Sequence, residues 1–159
     1  DALWATLAGM AIGSLHLDTA EIALAAMKEI DKLHYILYIK DIPSAEGRNA
    51  ELALYQRRPE EAERILLQAN PPLIYRAIKM NIRLFRWSRA LELAINNKTH
   101  VDTVLFYRKK FLTAHNRSEK EPRFKQYFDE VEIDEEKIMA KKAEERESEA
   151  RSGEGKSMY

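Results

Sequence analysis

The residues with the clearest capacity for chemistry are cations in the middle of the chain. Arginine and lysine side chains bind carboxylates, so they could dock acidic partner segments. The candidate partner-binding residues are Arg76, Lys79, Arg83, Arg86, Arg89, Arg108, Lys109 and Lys110. We favour the interpretation that these charges form solvated faces, with docking of acidic segments as the alternative. For Arg108-Lys109-Lys110 we also favour a solvated face over a phosphate site.

The charges are balanced overall but unevenly distributed. Lys and Arg total 26, as do Asp and Glu, so the formal net charge is zero. Residues 57–110 hold 12 basic and 5 acidic residues, a net of +7, whereas residues 129–150 hold 4 basic and 10 acidic residues, a net of −6. The overall balance argues against nucleic-acid binding, and the local asymmetry is typical of a part that docks with other parts.

The residues that support catalysis or metal binding are scarce and scattered. The absence of cysteine excludes disulfides, thiolate zinc sites and cysteine nucleophiles. Gly153-Glu154-Gly155-Lys156-Ser157 ends like a P-loop, but Ala150 stands where that motif needs its first glycine. We interpret the histidines as structural or surface residues, with no enzyme, metal or cofactor expected. They are His16, His34, His100 and His115.

The sequence contains no uninterrupted apolar segment of bilayer length. No run of 18 or more apolar residues occurs, so direct membrane insertion is not expected. The amino end has no starting Met and no basic leader, and it is typical of a chain cut inside a helix of something longer. A soluble intracellular location is the resulting expectation.

The elements that position the cations should all be helices. The chain holds 20 Ala and 17 Leu against 3 Val and 5 Thr, a choice that favours helix over strand. Ala20, Ala62 and Ala90 each lie near the start of a helix and should allow close approach to the preceding one. The predicted helix starts are at Asp18, Asp31, Ser44, Pro59 and Thr99.

Short connections between these helices predict an irregular α-solenoid of antiparallel helical hairpins, tetratricopeptide-like, with a charged C-terminal helix. The hairpins should occupy residues 1–115, and a linker with a short amphipathic helix residues 116–133. A charged helix should follow at 134–151, in solvent or against a partner because its apolar stripe is thin. A disordered tail is expected at 152–159.

Several stretches resemble one known family over residues 1–138. They are Glu29–Lys32 with Tyr38–Ser44, Glu61–Ala69, Trp87–Ala94, Lys98–Leu105 and Tyr107–Leu112. Together they resemble the carboxy-terminal region of the eighty-kilodalton WD-repeat subunits of intraflagellar transport complex B. Thr99–Leu112 is the most specific stretch, because helical packing alone does not demand its order of polar residues.

The resemblance implies a function that composition and periodicity do not. Members of that family carry two β-propellers followed by an α-solenoid, and they are non-catalytic building blocks of the trains that move cargo along ciliary microtubules. This sequence has no β-rich repeats and would be the solenoid part. The implied partners are other complex B subunits, with self-association as a further expectation, and the implied locations are the axoneme, the basal body and a cytoplasmic pool.

Two other functions fit the same architecture. A tetratricopeptide-type adaptor would clamp a short acidic peptide in a basic groove, with Arg83 and Arg86 among its contacts. A vesicle-coat-type solenoid would share the stacked hairpins and use long helix faces to assemble.

Overall fold

The computed structural model describes residues 1–156, which form helices and connecting turns. The chain divides into two compact units, Asp1–Ala69 with the residues from 150 onward, and Asn70–Glu149. The first contains α1 (Ala2–Gly13), α2 (Leu17–Ala26), α3 (Ile30–Lys40), α4 (Ala45–Tyr55) and α5 (Pro59–Gln68). The second contains α6 (Ile74–Arg83), α7 (Trp87–Asn96), α8 (Val101–Ala114), α9 (Pro122–Glu130) and the first part of α10 (Glu135–Lys156).

Consecutive helices pack against each other inside each unit. In the first unit α1 contacts α2, α2 contacts α3, α3 contacts α4 and α4 contacts α5. In the second, α6 contacts α7 and α8, and α8 contacts α7 and α9. The described residues include no strand. The predicted all-α, tetratricopeptide-like fold is therefore confirmed.

The core of the first unit is built from small and aliphatic side chains. Its buried residues are Ala8, Ala11, Ile12, Ala20, Ala23, Leu24, Ile36, Ile39 and Leu52. Ala20 and Ala62, which the sequence placed at helix entries, are both fully buried. A side chain of one carbon lets two helix backbones approach without a gap, so the burial of these alanines agrees with their predicted role.

The second unit buries a similar set of side chains and also the large aromatics Trp87 and Phe124. Ala77, Ile78, Ala90, Leu91, Ala94, Val104 and Leu105 are completely buried. Phe124 from α9 and Ile138 from α10 are also buried, so both helices beyond α8 contribute an apolar anchor. The linker and charged helix expected after residue 115 are thus attached to the helices that precede them within this unit.

Six of the helices end in the same backbone turn. In each, the second residue after the helix has a positive φ of 50 to 63°. Its N–H donates to the carbonyl three residues back, and the next N–H donates to the carbonyl five residues back, as Lys98 does to Ile95 and Thr99 to Ala94. This is the Schellman arrangement, which usually employs glycine. The residues here are Leu15, Lys28, Arg57, Phe85, Lys98 and Asn116.

These turns explain why some predicted helix starts are wrong. Helices α2, α3 and α8 are preceded by His16, Glu29 and His100, and none of these makes a side-chain cap. Asp18, Asp31 and Thr99 were the predicted caps. The Schellman turn leads directly into α2 and α3, and before α8 it is followed by His100 with a φ of 59°, so the turn geometry and not a capping side chain sets these helix starts.

Two predicted starts agree with the structure. The hydroxyl of Ser44 accepts a hydrogen bond from the Gly47 N–H at 3.1 Å, which caps α4. Pro59 is the first residue of α5, followed by Glu60 and Glu61 in the first turn. Proline and acidic residues suit a helix start because the first N–H groups are unpaired and carry positive partial charge.

The helix α10 continues to Lys156, beyond the predicted end at residue 151. The disordered tail expected from residue 152 is therefore helical as far as 156, and 157–159 lie outside the described residues. Within the first unit, a Cβ on Gly153 would lie 2.6 Å from the Pro43 carbonyl oxygen. The missing side chain at Gly153 thus lets this helix approach the Pro43 backbone.

Side-chain ties in the first unit link α2, α3 and α4. The Tyr35 hydroxyl donates a 2.8 Å hydrogen bond to Glu51, a carboxylate that is only 3% exposed. Lys40 Nζ lies 2.6 Å from both Asp18 and Glu21. The Lys40 hydrogen bond holds the pKa of the Asp18 carboxyl below its ordinary value.

The helix α1 differs from the predicted pattern at its apolar residues. The helical spacing of its apolar residues predicts one shared face, and three of them, Ala8, Ala11 and Ile12, are buried. Trp4 and Leu7 remain about two-fifths exposed within the described residues, while Trp87 in the second unit is buried.

Candidate protein-binding surfaces

The eight predicted cations lie in the second unit but do not form one groove. Arg76 and Lys79 are half-buried on α6 beside α10, and Arg86, Arg89 and Arg108 line an open cavity. Arg83, Lys109 and Lys110 are exposed. The structure therefore divides the predicted site into two surfaces and leaves three cations on outer helix faces.

The first surface, called the α10-covered surface, consists of Tyr75, Arg76, Lys79, His100 and Asp102. Arg76 binds Glu149 of α10 with two guanidinium nitrogens, at 3.0 Å from Nε to Oε1 and 2.9 Å from Nη2 to Oε2. Both side chains are mostly buried. Such a two-point, charge-assisted contact is among the stronger polar interactions available to a protein.

His100 provides a second contact to α10. Its ring is buried, with Nε2 2.9 Å from Glu145 and Nδ1 3.2 Å from the Thr103 hydroxyl. The Tyr75 ring lies against it, with the ring centroids 4.6 Å apart. A third contact joins Lys141 Nζ to Asp102 at 2.6 Å. The acidic helix thus docks on the basic segment within this unit.

Two groups on the α10-covered surface are poorly accommodated. Burial lowers the pKa of Lys79, and the positive charges of Lys142, Arg83 and Arg76 lower it further. Burial raises the pKa of Tyr75 to about 12, and its hydroxyl oxygen is buried without a hydrogen-bond partner. A half-buried cation among other positive charges and an unsatisfied buried hydroxyl both cost free energy.

The second surface, called the aromatic–basic cavity, is an open cavity of about 410 Å³. It is lined by Phe85, Arg86, Trp87, Ser88, Arg89, Arg108 and Glu121. The Phe85 side chain is 63% exposed. Its backbone φ of 56° is a conformation that aromatic residues rarely adopt. Its ring lies 5.3 Å from that of Phe111, which lies 5.4 Å from Trp87. The ring planes of both pairs are tilted by 46°. Aromatic side chains and arginines are enriched at the centres of protein–protein interfaces.

Arg108 organises one wall of the aromatic–basic cavity. Its guanidinium lies 5.5 Å from the Trp87 ring centroid and 5.0 Å from that of Phe124. It also donates two hydrogen bonds to Glu119, at 2.8 and 3.0 Å. The Arg108 guanidinium therefore holds the pKa of the Glu119 carboxyl below its ordinary value of 4.5. Arg108 links α8 to α9 instead of forming the predicted solvated face.

The histidines and the P-loop-like segment do not form a metal or phosphate site in the described part of the chain. His16, His34 and His115 are exposed, and no group of three His, Asp or Glu side chains there could hold a metal ion. Gly153–Lys156 belongs to α10, and Ser157 lies outside the described residues. Across residues 1–156, no helix combines the length and apolar character needed to cross a bilayer.

Sequence reasoning missed the contribution of α10 to this region. The residues of α10 that are buried or half-buried between 138 and 149 are Ile138, Lys142, Glu145 and Glu149, spaced by four, three and four. That spacing places them on one helix face, which was the available signal. Because three of these four residues are charged, the face does not show the apolar pattern that usually indicates a packed helix.

Comparison with known proteins identifies the family of this helical chain. Residues 3–151 match the family described as the IFT80/172/WDR35/WDR19 TPR domain. The chain belongs to this family. The membership confirms the resemblance to an intraflagellar transport subunit and the tetratricopeptide-like class of the fold.

Two relatives of this TPR domain are closely similar. The chain is 52% identical over 139 residues to the Intraflagellar transport protein 80 homolog of Rattus norvegicus and 51% identical to that of Mus musculus. The matched region is 87% of this chain and 18% of each relative. The TPR domain thus spans less than a fifth of the length of these relatives.

Proposed function

We propose that the chain is a non-catalytic assembly module of intraflagellar transport complex B, acting in cilium assembly and anterograde ciliary transport. Its partners are other complex B subunits, with self-association as a further proposed contact, and its locations are the axoneme, the basal body and a cytoplasmic pool. The family membership of residues 3–151 carries this proposal, because stacked helical hairpins provide long contact surfaces.

The aromatic–basic cavity is the proposed contact surface for these partners. The exposed Phe85 ring and the cations Arg86 and Arg89 combine a large apolar group with positive charge. Interface centres are enriched in aromatic residues and arginine, and truncating such residues often weakens binding strongly. The chemistry therefore favours a partner segment that carries both an apolar and an acidic side chain.

Reconstitution with other complex B subunits tests this proposal. The full-length subunit carrying Phe85→Asp or Arg86→Glu should co-purify with its partners at least about tenfold less well than the natural protein. Arg64→Glu, at an exposed position on α5, is the matched charge-reversal control and should leave assembly unchanged. Full assembly with both cavity variants, or equal loss with the control, would contradict the proposed surface.

The acidic-peptide adaptor remains a second candidate, because Glu149 already occupies Arg76 through a two-point contact. In that case binding would centre on the α10-covered surface and weaken with salt. The vesicle-coat alternative is not proposed, because the family match is to intraflagellar transport subunits.

A further inference from the structure

The helix α10 docks within the second unit through an unusual face. Ile138 is only 1% exposed, and the other docked residues, Lys142, Glu145 and Glu149, are all charged. A helix normally packs through an apolar stripe, which supplies most of its docking free energy. Here a single aliphatic anchor and a few ion pairs hold residues 138–149, so this attachment should be weak and sensitive to salt.

The contacts made by this face are only partly complementary. Glu149 and Glu145 meet Arg76 and His100 at hydrogen-bond distance. Lys79 lies one helical turn after Arg76 on α6, and Lys142 lies two turns before Glu149 on the docked face of α10. Both lysines are half-buried, and each adds positive charge to the other's surroundings. The buried Tyr75 hydroxyl also has no acceptor. A better-matched helix would place an acidic residue where Lys142 lies.

We propose that the α10-covered surface is a receptor for an acidic amphipathic helix of a partner protein, and that α10 occupies it as a weaker substitute. The favoured helix has an aliphatic residue at the position of Ile138 and acidic residues four, seven and eleven positions later. Those residues would meet Lys79, His100 and Arg76 in turn. The proposal rests on the proposed function, since it specifies the kind of partner that an assembly module would bind.

Charges on both sides of the contact favour this recognition. Arg76, Lys79 and His100 are three nitrogen-bearing side chains of this surface, and the two glutamates of α10 already contact two of them. A third carboxylate would replace a repulsion with an attraction and could accept a hydrogen bond. Because a partner helix must first displace α10, its affinity is reduced by the docking free energy of α10.

Peptide binding to the whole chain tests the proposal. Labelled peptides covering residues 134–151 are titrated into the natural chain and into a Glu145→Lys/Glu149→Lys chain, whose own α10 should be released. The Lys142→Glu peptide should bind the released chain about five- to tenfold more tightly than the natural peptide. The Lys137→Glu peptide has the same net charge but changes an exposed residue, and it should bind like the natural peptide.

A charge exchange makes the test specific. Arg76→Glu in the released chain should weaken the Lys142→Glu peptide by about tenfold, and adding Glu149→Arg to that peptide should restore the affinity. Circular dichroism of each chain checks that the helices are retained. Equal binding of the Lys142→Glu and Lys137→Glu peptides, or no rescue by the exchange, would overturn the proposal.

Light scattering tests whether the occupant of this surface is instead the α10 of a second copy of the chain. A natural chain with doubled mass, reduced to a single mass by Glu145→Lys/Glu149→Lys, would identify the α10 of a second copy as the occupant and overturn the proposal. Failure of these peptide tests leaves the Phe85 and Arg86 co-purification results unaffected. The two proposals can therefore fail separately.

Discussion

The hydroxyls of Tyr35 and Tyr75 differ in whether they have a hydrogen-bond partner. Tyr35 donates to the buried Glu51, whereas the Tyr75 hydroxyl is unsatisfied. Removing an unsatisfied buried hydroxyl relieves a desolvation cost, and removing a bond to a buried carboxylate leaves that carboxylate less well solvated. The pair therefore isolates the contribution of one hydrogen bond.

We expect Tyr35→Phe to lower the free energy of unfolding by about 1–2 kcal/mol. Tyr75→Phe should leave it unchanged or raise it by a few tenths, about 0.5 kcal/mol at most. Urea denaturation followed by circular dichroism measures both. A larger loss for Tyr75→Phe than for Tyr35→Phe would contradict the hydrogen-bond assignments.

The raised pKa of Tyr75 predicts a pH dependence of stability. Because the folded pKa of about 12 lies above the ordinary value of 10.0, the protonated phenol is favoured by folding. The stabilisation is fully present below pH 10 and is lost as the pH rises toward 12. The difference in unfolding free energy between the natural chain and Tyr75→Phe should therefore change between pH 9 and pH 11, and not between pH 7 and pH 9.

The Schellman turns predict a stabilising substitution. Lys98 is exposed with a φ of 52°, which costs a side-chain-bearing residue about 1 kcal/mol relative to glycine. Lys98→Gly should therefore raise the free energy of unfolding by up to about 1 kcal/mol. Asn116→Gly is the matched control and should gain less, because asparagine tolerates this conformation. Thermal melts of both variants check the order.

At the level of single residues, helix starts were predictable only where a side chain sets them. Ser44 and Pro59 act through their own hydroxyl and ring, so their types are informative. His16, Glu29 and His100 precede helices because of the turn before them, and no residue type encodes that turn when glycine is absent. Phe85 shows the same limit, since an aromatic at positive φ is not expected from any propensity.

The end of α10 offers a test at the scale of one helix. Gly153→Ala should destabilise the first unit, because the new methyl group would meet the Pro43 carbonyl oxygen and α10 would have to shift. Gly9→Ala, with nothing within 4 Å of the added carbon, should instead stabilise α1 by about 0.5–1 kcal/mol. Hydrogen exchange of the amides at 150–153 and the thermal midpoint measure the two effects, and an equal gain from both would contradict the close approach.

Helix α9 is held by a contact that depends on pH. The pKa of Glu119 is lowered in the folded state, so its ion pair with Arg108 stabilises the unit above the ordinary carboxyl pKa and ceases to do so as the pH falls through the folded value. Glu119→Gln should cost about 1–2 kcal/mol at pH 7 and progressively less below pH 4.5. Denaturation of this variant at both pH values measures the change, with Asp129→Asn on the exposed side of α9 as the control.

At the level of elements, residue composition predicted the helical hairpins of residues 1–115, because Ala and Leu favour helix and also fill the buried cores of the two units. It did not predict the docking of α10, because the stripe of Lys142, Glu145 and Glu149 has the spacing of a packed face without its composition. The predicted binding site was divided into two surfaces because tertiary contacts, which the sequence pattern does not show, separate its cations. Neighbouring cations in the sequence were assigned to one groove, but the pairing of Arg76 with Glu149 and Arg108 with Glu119 is decided by tertiary contacts.

For the whole chain, the zero net charge results from a basic and an acidic segment whose side chains partly pair with each other. The sequence predicted that the basic segment at 57–110 and the acidic segment at 129–150 are solvated faces or, alternatively, surfaces for other proteins. Within the second unit some of these charges meet each other, through Arg76 with Glu149 and His100 with Glu145. A binding partner must therefore compete with contacts that the chain already makes with itself.

The two tryptophans of the chain should differ in fluorescence. Trp4 lies in the first unit and is about two-fifths exposed, while Trp87 is buried in the second against Phe111. A buried indole emits at shorter wavelength than a hydrated one, so the two units carry spectrally distinct natural fluorophores. In a Trp4→Phe chain, the red shift of the remaining emission would follow the unfolding of the second unit alone, without any added dye.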